Sequence, residues 1–586
     1  MVPLPPYARR VEYLEGTGTQ WIDTGYAPTA STRVEMAGLF SPGRDPAVFI
    51  RFGSRYSATQ SCLAFNSNGT DGNLRFDLGT GSTSRDVQWQ AGADTATRVV
   101  IDANTKYAAY VTDTGTLVEH TFTSNMTFAD ALPLTVFAFN ANPLSSVAWQ
   151  MRVSSLKIWN NGSPVRSFVP CRILDVGYLW DEVEGKFYGN SGTVDFVLGP
   201  DVREGVVPTP LNPFGVGRRQ ERIRRVEYLE STGTQYIDTG ILPTPTMRLD
   251  LDFMPQDYGV RAFGADDLRG DVNRKFWVAV GGRGTNLNYN ASTDGSNIVI
   301  SNGGASILNI RTAISVEGKS ITAFGSTQTD SSWTIATDNG CSIGLFAGHR
   351  ILDDGSEVWF VPATMRLYSC AIYDDTTLVR DFVPVAIGSV GYLLDRVSGQ
   401  LFGKSGTGDF VLGPDIVPVE YVESTGGQYV NTRLTITQGS IAFSFEDTGT
   451  NTNAAFLGQQ TSNPRLLGWI INNSDAYVDL GASSTRVDFD SEMPSMIIPK
   501  TAFSANTGSG YVPLYLFTSR NANGARTPYA KARCRYCQFW DSNDALVRSY
   551  VPVRVGTEGA LYDRVTDAVF RSATSTPLVA GPETPA

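Results

Sequence analysis

Acids, histidines and thiols are the residues of this chain that could do chemistry, and each kind is sparsely placed. The nearest acidic cluster is Asp181, Glu182 and Glu184. Glycoside hydrolysis needs one carboxyl as acid and another as nucleophile or base at a fixed separation. The matching stretch near the end of the chain reads Asp563, Arg564, Thr566, so the pairing is not kept. The cluster therefore reads as a solvated turn after the strand that carries Leu179, with an Asp181–Glu184 pair as the hydrolase alternative. The two histidines, His120 and His349, have no His-x-His or His-Glu spacing to suggest zinc and no nucleophile elbow to suggest a triad. Both are expected on the surface or in loops. Cys534 and Cys537 have the spacing of a redox pair or half a zinc site. Their counterparts earlier in the chain are Val153 with Leu156 and Leu367 with Cys370. Residues three apart on a strand face opposite ways, so these thiols read as small buried apolar groups. No glycine-rich phosphate loop of the required form precedes a helix.

Binding chemistry is better represented. Gln20, Gln235 and Gln428 each precede an aromatic residue, Trp21, Tyr236 and Tyr429, with Asp23, Asp238 and Asn431 two positions on. An aromatic face beside an amide and a carboxylate suits sugar stacking and hydroxyl bonding, or calcium. The same groups would equally pin a first strand to its neighbour through side chain to backbone bonds. Binding surfaces vary while scaffold turns repeat, which directs attention to the variable loops. These hold Asn140 and Asn142, then His349 and Arg350, then Arg520 and Asn521. Asp353, Asp354 and Glu357 in the second of these loops are the candidate cation ligands, for calcium. The alternative for each loop is an ordinary exposed hairpin connection.

The elements that must position these residues come in three copies. Residues 9–25 read RRVEYLEGTGTQWIDTG, residues 224–240 read RRVEYLESTGTQYIDTG, and residues 417–433 read VPVEYVESTGGQYVNTR. A second block closes each copy, MRVSSLKIWNNGSPVRSFVPC at 151–171, MRLYSCAIYDDTTLVRDFVPV at 365–385 and ARCRYCQFWDSNDALVRSYVPV at 532–553. A third reads GYLWDEVEGKFYGNSGTVDFVLGPD at 177–201 and GYLLDRVSGQLFGKSGTGDFVLGPD at 391–415, and has drifted at 559–583. Each copy is about 170–195 residues, a size that buries roughly 70 % of its unfolded surface and can fold alone. The expected domains are 7–201, 222–415 and 416–586, with a Pro/Gly-rich linker at 202–221. Copies 2 and 3, which have no spacer, are expected to sit closer and more rigidly than copies 1 and 2.

Within a copy the period is two. Met365, Leu367, Ser369, Ala371 and Tyr373 alternate with Arg366, Tyr368, Cys370 and Ile372, which predicts a strand. Asp374-Asp375 and Asn160-Asn161-Gly162 are hairpin turns. The Val-Pro pairs at 169–170, 383–384 and 551–552 are expected at strand ends, where a ladder N–H is dispensable. No segment shows a capped 3.6-residue stripe. The expectation is an all-β chain of three tandem antiparallel β-sandwich, jelly-roll domains.

These three blocks resemble the laminin-G-like, concanavalin A-like jelly-roll domains found in proteins of gut bacteria and their phages, and the resemblance covers nearly the whole chain. It implies two packed antiparallel sheets, with glycan or protein binding at a sheet face or at rim loops, and calcium in some of those loops. Enzymes on this fold carry a Glu-x-Asp-x-x-Glu strand, a spacing absent here. The totals fit. Net charge is −11, which disfavours nucleic acid. Hydrophobic residues are 41 % and charged residues 18 %, as in a folded chain, and six cysteines are too few for a disulfide scaffold. No apolar run is long enough to insert in a membrane, and MVPLPPYARR lacks the apolar core of a signal peptide. The expectation is a non-enzymatic structural or binding protein with no required cofactor. A phage virion or extracellular surface is the expected location. The expected partners are a glycan or host receptor, other virion proteins, and further copies of itself as a trimer. The rival is a bacterial surface adhesin.

Overall fold

The computed structural model describes residues 2–5, 7–41, 51–57, 60–68, 73–79, 88–92, 95–123, 128, 131–138, 149–192, 194–202, 223–269, 274–293, 296–335, 339–435, 439–448, 454–460, 465–472, 475–480, 486–489, 495–498, 513–518 and 529–584. Every regular element among them is a strand. The strands form three pairs of sheets, spanning Arg9–Leu198, Ile223–Leu412 and Ile416–Ala580 in turn. The chain is thus three tandem β-sandwiches whose described strand pairings are antiparallel except where Gly348–Ile351 runs parallel to Arg261–Asp267 and at the isolated parallel bridge Ala455–Tyr529. Alternation makes the layers. Met247–Pro255 buries every second side chain, Met247, Leu249, Leu251 and Phe253 among them, against the facing sheet's Phe263, Val278 and Tyr289. Burying side chains of this size contributes about 1.5–3 kcal/mol each.

The alternation does not run unbroken through Thr364–Asp374. Met365 and Leu367 point into the core, and so do Cys370 and Ile372. Asp252 pairs with Ser369 and Phe253 with Leu367, leaving Tyr368 as an extra residue. That β-bulge reverses the phase of the strand. The bulge recurs at Ser154 and at Arg535. It corrects the expectation that residues three apart face opposite ways: Cys534 and Cys537 straddle Arg535, and both lie fully buried in the core of the third sandwich.

The prolines also differ from expectation. Pro170, Pro384 and Pro552 sit inside strands, not at their ends. The carbonyl of each accepts from Val11, Val226 or Val419, so the missing N–H points to that same edge. There one partner strand has ended at Leu156, Cys370 or Cys537 and the next is only starting, so a single ladder bond is forgone at the end of a partner strand.

Each Glu-Tyr-x-Glu opening is a clip. Arg152, Arg366 and Arg533 lie over Tyr13, Tyr228 and Tyr421 at 4.4–4.5 Å and donate through Nε to Glu15, Glu230 and Glu423. Asn161 and Gly162, at φ 52° and 76°, make the tight turn between Trp149–Asn160 and Ser163–Ile173.

The sandwiches touch one another. Val169, Cys171, Ile173, Tyr178, Trp180 and Phe187 of the first share an apolar cluster with Val383, Val385 and Leu394 of the second. Copies 1 and 2 are therefore in direct contact despite the linker, most of which lies outside the described residues. Copies 2 and 3 meet through charge. Asp567 bonds Arg225 and Arg396, and Arg571 makes a bidentate pair with Glu227.

Candidate functional site

The acidic cluster is structural. Asp181 is fully buried and accepts from the backbone N–H of Ser167 at 2.8 Å and Val183 at 3.0 Å, which staples two neighbouring strands. Asp395 and Asp563 make the same staple. The expected solvated turn is thus a buried hydrogen-bonded corner. Glu184 is held by Arg166 and by the Tyr188 hydroxyl at 2.7 Å.

The repeated glutamines are also inside. Gln235 accepts from the Thr232 N–H at 2.9 Å and donates to Asp409 O at 3.1 Å, and Gln20 and Gln428 bond their own turns likewise. All three are buried, with their amides spent on backbone. Trp21 and Tyr236 are half-buried beside them, and Tyr429 is buried with its ring 5.6 Å from Tyr529. Burial pushes the Cys534 and Cys537 thiols far up and Cys341 up to about 12, so none is poised as a nucleophile.

Backbone strain marks the variable loops. Phe137, Phe346 and Phe517 each hold φ between 64° and 67° and each is fully buried. A bulky residue tolerates the left-handed region only where packing dictates it. The three phenylalanines stand three to five residues before the loop positions singled out above. Asn140, Asn142, Arg520 and Asn521 lie outside the described residues. The second copy's loop is described.

His349 is not on the surface. It sits in the strand Gly348–Ile351, 3 % exposed, stacked on Trp359 at 4.2 Å with the rings 1° apart. Tyr236 stacks on Trp359 at 4.1 Å. Nδ1 of His349 faces Ser342, and Nε2 meets Glu357 at 3.2 Å. Asp354 is spent on the Ser356 N–H and hydroxyl. Asp353, Asp354 and Glu357 therefore do not converge as cation ligands. Among the described residues no three His, Cys, Asp or Glu side chains gather where they could hold a metal.

The neighbouring face holds what sequence reasoning missed. Strand pairing sets Trp277, Gly264, Gly348 and Phe360 in one row across the sheet. The glycines leave a slot between two aromatic walls. Arg261 fills it, 4.4 Å from the Trp277 ring and 4.5 Å from Phe360. Arg350 lies over Phe360 at 4.0 Å. A Cβ on Gly348 would come within 2.7 Å of the Phe360 ring, so glycine is required by close packing and not by its φ. Both guanidiniums converge on the fully buried Asp266, from Arg261 Nη1 at 2.9 Å and Arg350 Nη2 at 2.7 Å. Burial lowers Arg261 from its ordinary value, while Asp266 opposes the shift. Arg350 was foreseen; Arg261, Asp266, Trp277 and Phe360 were not. The mid-strand glycines were the available signal, since a glycine inside a strand marks close approach.

No family model matches the chain, and no curated protein does. Among solved structures, the LG1-3 region of the laminin alpha2 chain is 12 % identical over 97 % of this chain and 100 % of that one, with a TM-score of 0.22. NanB sialidase from Streptococcus pneumoniae is 9 % identical over 97 % and 92 %, with a TM-score of 0.20. Leech intramolecular trans-sialidase is 9 % identical over 91 % and 97 %, with a TM-score of 0.18. Likenesses this weak transfer neither ligand nor activity, and the β-sandwich assignment rests on the strand pairings themselves.

Proposed function

We propose that this chain is a non-enzymatic binding protein that recognises glycan through its second sandwich, in the manner of a phage fibre or decoration protein. One observation carries the reading: the aromatic and guanidinium ladder of Trp277, Arg261, Phe360 and Arg350, preassembled on a glycine floor. Sugar sites combine rigid apolar surface with a few fixed polar donors, and guanidiniums locked by Asp266 are fixed donors. The carboxylates that a hydrolase reading would use support binding over turnover, because Asp181 and Glu184 are already bonded within the fold. Contacts among the three sandwiches would hold the site rigidly on a larger assembly. Screening the purified chain on a glycan array tests recognition. A defined class of bound glycan is expected, and a blank array would overturn the reading. Mass spectrometry of purified phage particles tests the location.

A further inference from the structure

The ladder carries more positive charge than its own fold neutralises. Arg261 and Arg350 share the single carboxylate of Asp266. Lys275 stands directly opposite Asp266 on the adjacent strand, and paired residues project to the same face. One sheet face of a chain with net charge −11 thus gathers three cations around one anion. Asp266 engages Arg261 through Nη1 and Arg350 through Nε and Nη2, which leaves Nη1 of Arg350 and the outer edge of Arg261 facing away from it. The Trp277 indole N–H is itself buried, with no hydrogen-bond partner among the described residues. The flat faces of Phe360 and Trp277 are taken by guanidiniums, so a ligand meets donors first.

We infer that this face of the second sandwich is a subsite for a carboxylate-bearing sugar, with Arg261 and Arg350 gripping the carboxylate. The inference rests on the glycan-binding reading and names its ligand class. A planar carboxylate matches the fork of a guanidinium, and two forks held in place by stacking lose little freedom on binding. By sequence, neither other copy carries the Asp266 and Arg350 pair. The residues aligned with Asp266 are Arg55 and Gln460, and those aligned with Arg350 are Ala141 and Asn521.

The test is calorimetric titration of the full chain with tetragalacturonate and with a neutral galactose tetramer, at low and high salt. The acidic oligomer is expected to bind at least tenfold tighter, and to weaken as salt rises. Arg350→Gln is expected to abolish that preference and Arg350→Lys to restore only part of it, with melting temperature recorded for each. Equal affinity for both oligomers, or a preference that survives both salt and Arg350→Gln, would overturn the carboxylate subsite while leaving glycan binding intact. No heat with either oligomer, together with a blank array, would remove both. The salt series on the unmodified chain keeps the test valid if a variant fails to fold.

Discussion

Asp567 occupies in the third sandwich the turn position that Gly399 occupies in the second, with φ 58° against 69°. Gly185 holds it in the first, at φ 68°. A glycine suits that backbone; an aspartate adopts it at a cost of about 1 kcal/mol. The offsetting contact is with the neighbouring sandwich, where the carboxylate is bonded to Arg225 and Arg396. A nearby departure from the repeat follows suit, since Arg571 replaces a glycine and reaches Glu227, and Arg564, which matches Arg396 of the second copy, reaches Asp175 of the first sandwich. What looks like drift in the third copy is where the sandwiches are joined.

Asp567→Gly should therefore destabilise the chain despite relieving its backbone. Breaking a buried pair costs about 3–5 kcal/mol and the strain relief returns about 1, for a net loss near 2–4 kcal/mol. Urea unfolding of the full chain reads this. A variant at least as stable as the parent would show that the junction adds nothing.

Arg433→Gly should do the opposite. Arg433 sits at φ 56° where Gly25 and Gly240 sit at 64° and 67°, and its backbone N–H is held by the Asn431 side chain. No glycine-specific freedom is available to it, so restoring glycine should stabilise by about 1 kcal/mol. A rise of a few degrees in the third sandwich's melting transition is the expected readout.

Gly348→Ala should displace Phe360 and loosen both guanidiniums. The added methyl costs about 1–3 kcal/mol of overpacking. Near-ultraviolet circular dichroism should change alongside ligand affinity. Unchanged affinity would detach the ladder from binding.

Asp267 sets a pH dependence. The Arg269 guanidinium, bonded to its carboxylate, holds it at about 2 against burial, with help from the Gly340 N–H. A carboxyl depressed on folding contributes stability that is complete above the ordinary carboxylate range and lost as pH falls through its folded value. Asp267→Asn should cost stability at pH 7, with the difference shrinking between about pH 4 and pH 2. A constant difference across that window would contradict the assignment.

Much of the architecture was legible because repetition and period-two patterning are local. The bulge after Leu367 was not, since it depends on which residue of the neighbouring strand is skipped, and so Cys534 and Cys537 were oriented wrongly although rightly read as core. Pro170 was misplaced because a strand with two successive partners on one edge leaves no trace in its own sequence. The buried role of Gln20, Gln235 and Gln428 was visible as one of two readings. Of the ladder only Arg350 and the mid-strand glycines left a trace, because Arg261, Trp277, Arg350 and Phe360 come from four strands and only their register brings them together.

The guanidinium ladder is the proposed seat of glycan recognition. Its most direct test is array binding of the full chain beside Phe360→Leu, which keeps an apolar side chain but removes the ring that both arginines stack on, each with and without a chelator. A defined glycan class is expected for the parent, unaffected by the chelator, with at least a tenfold loss for Phe360→Leu at a similar melting temperature. Equal binding by the two proteins would contradict it, and so would binding that disappears with the chelator.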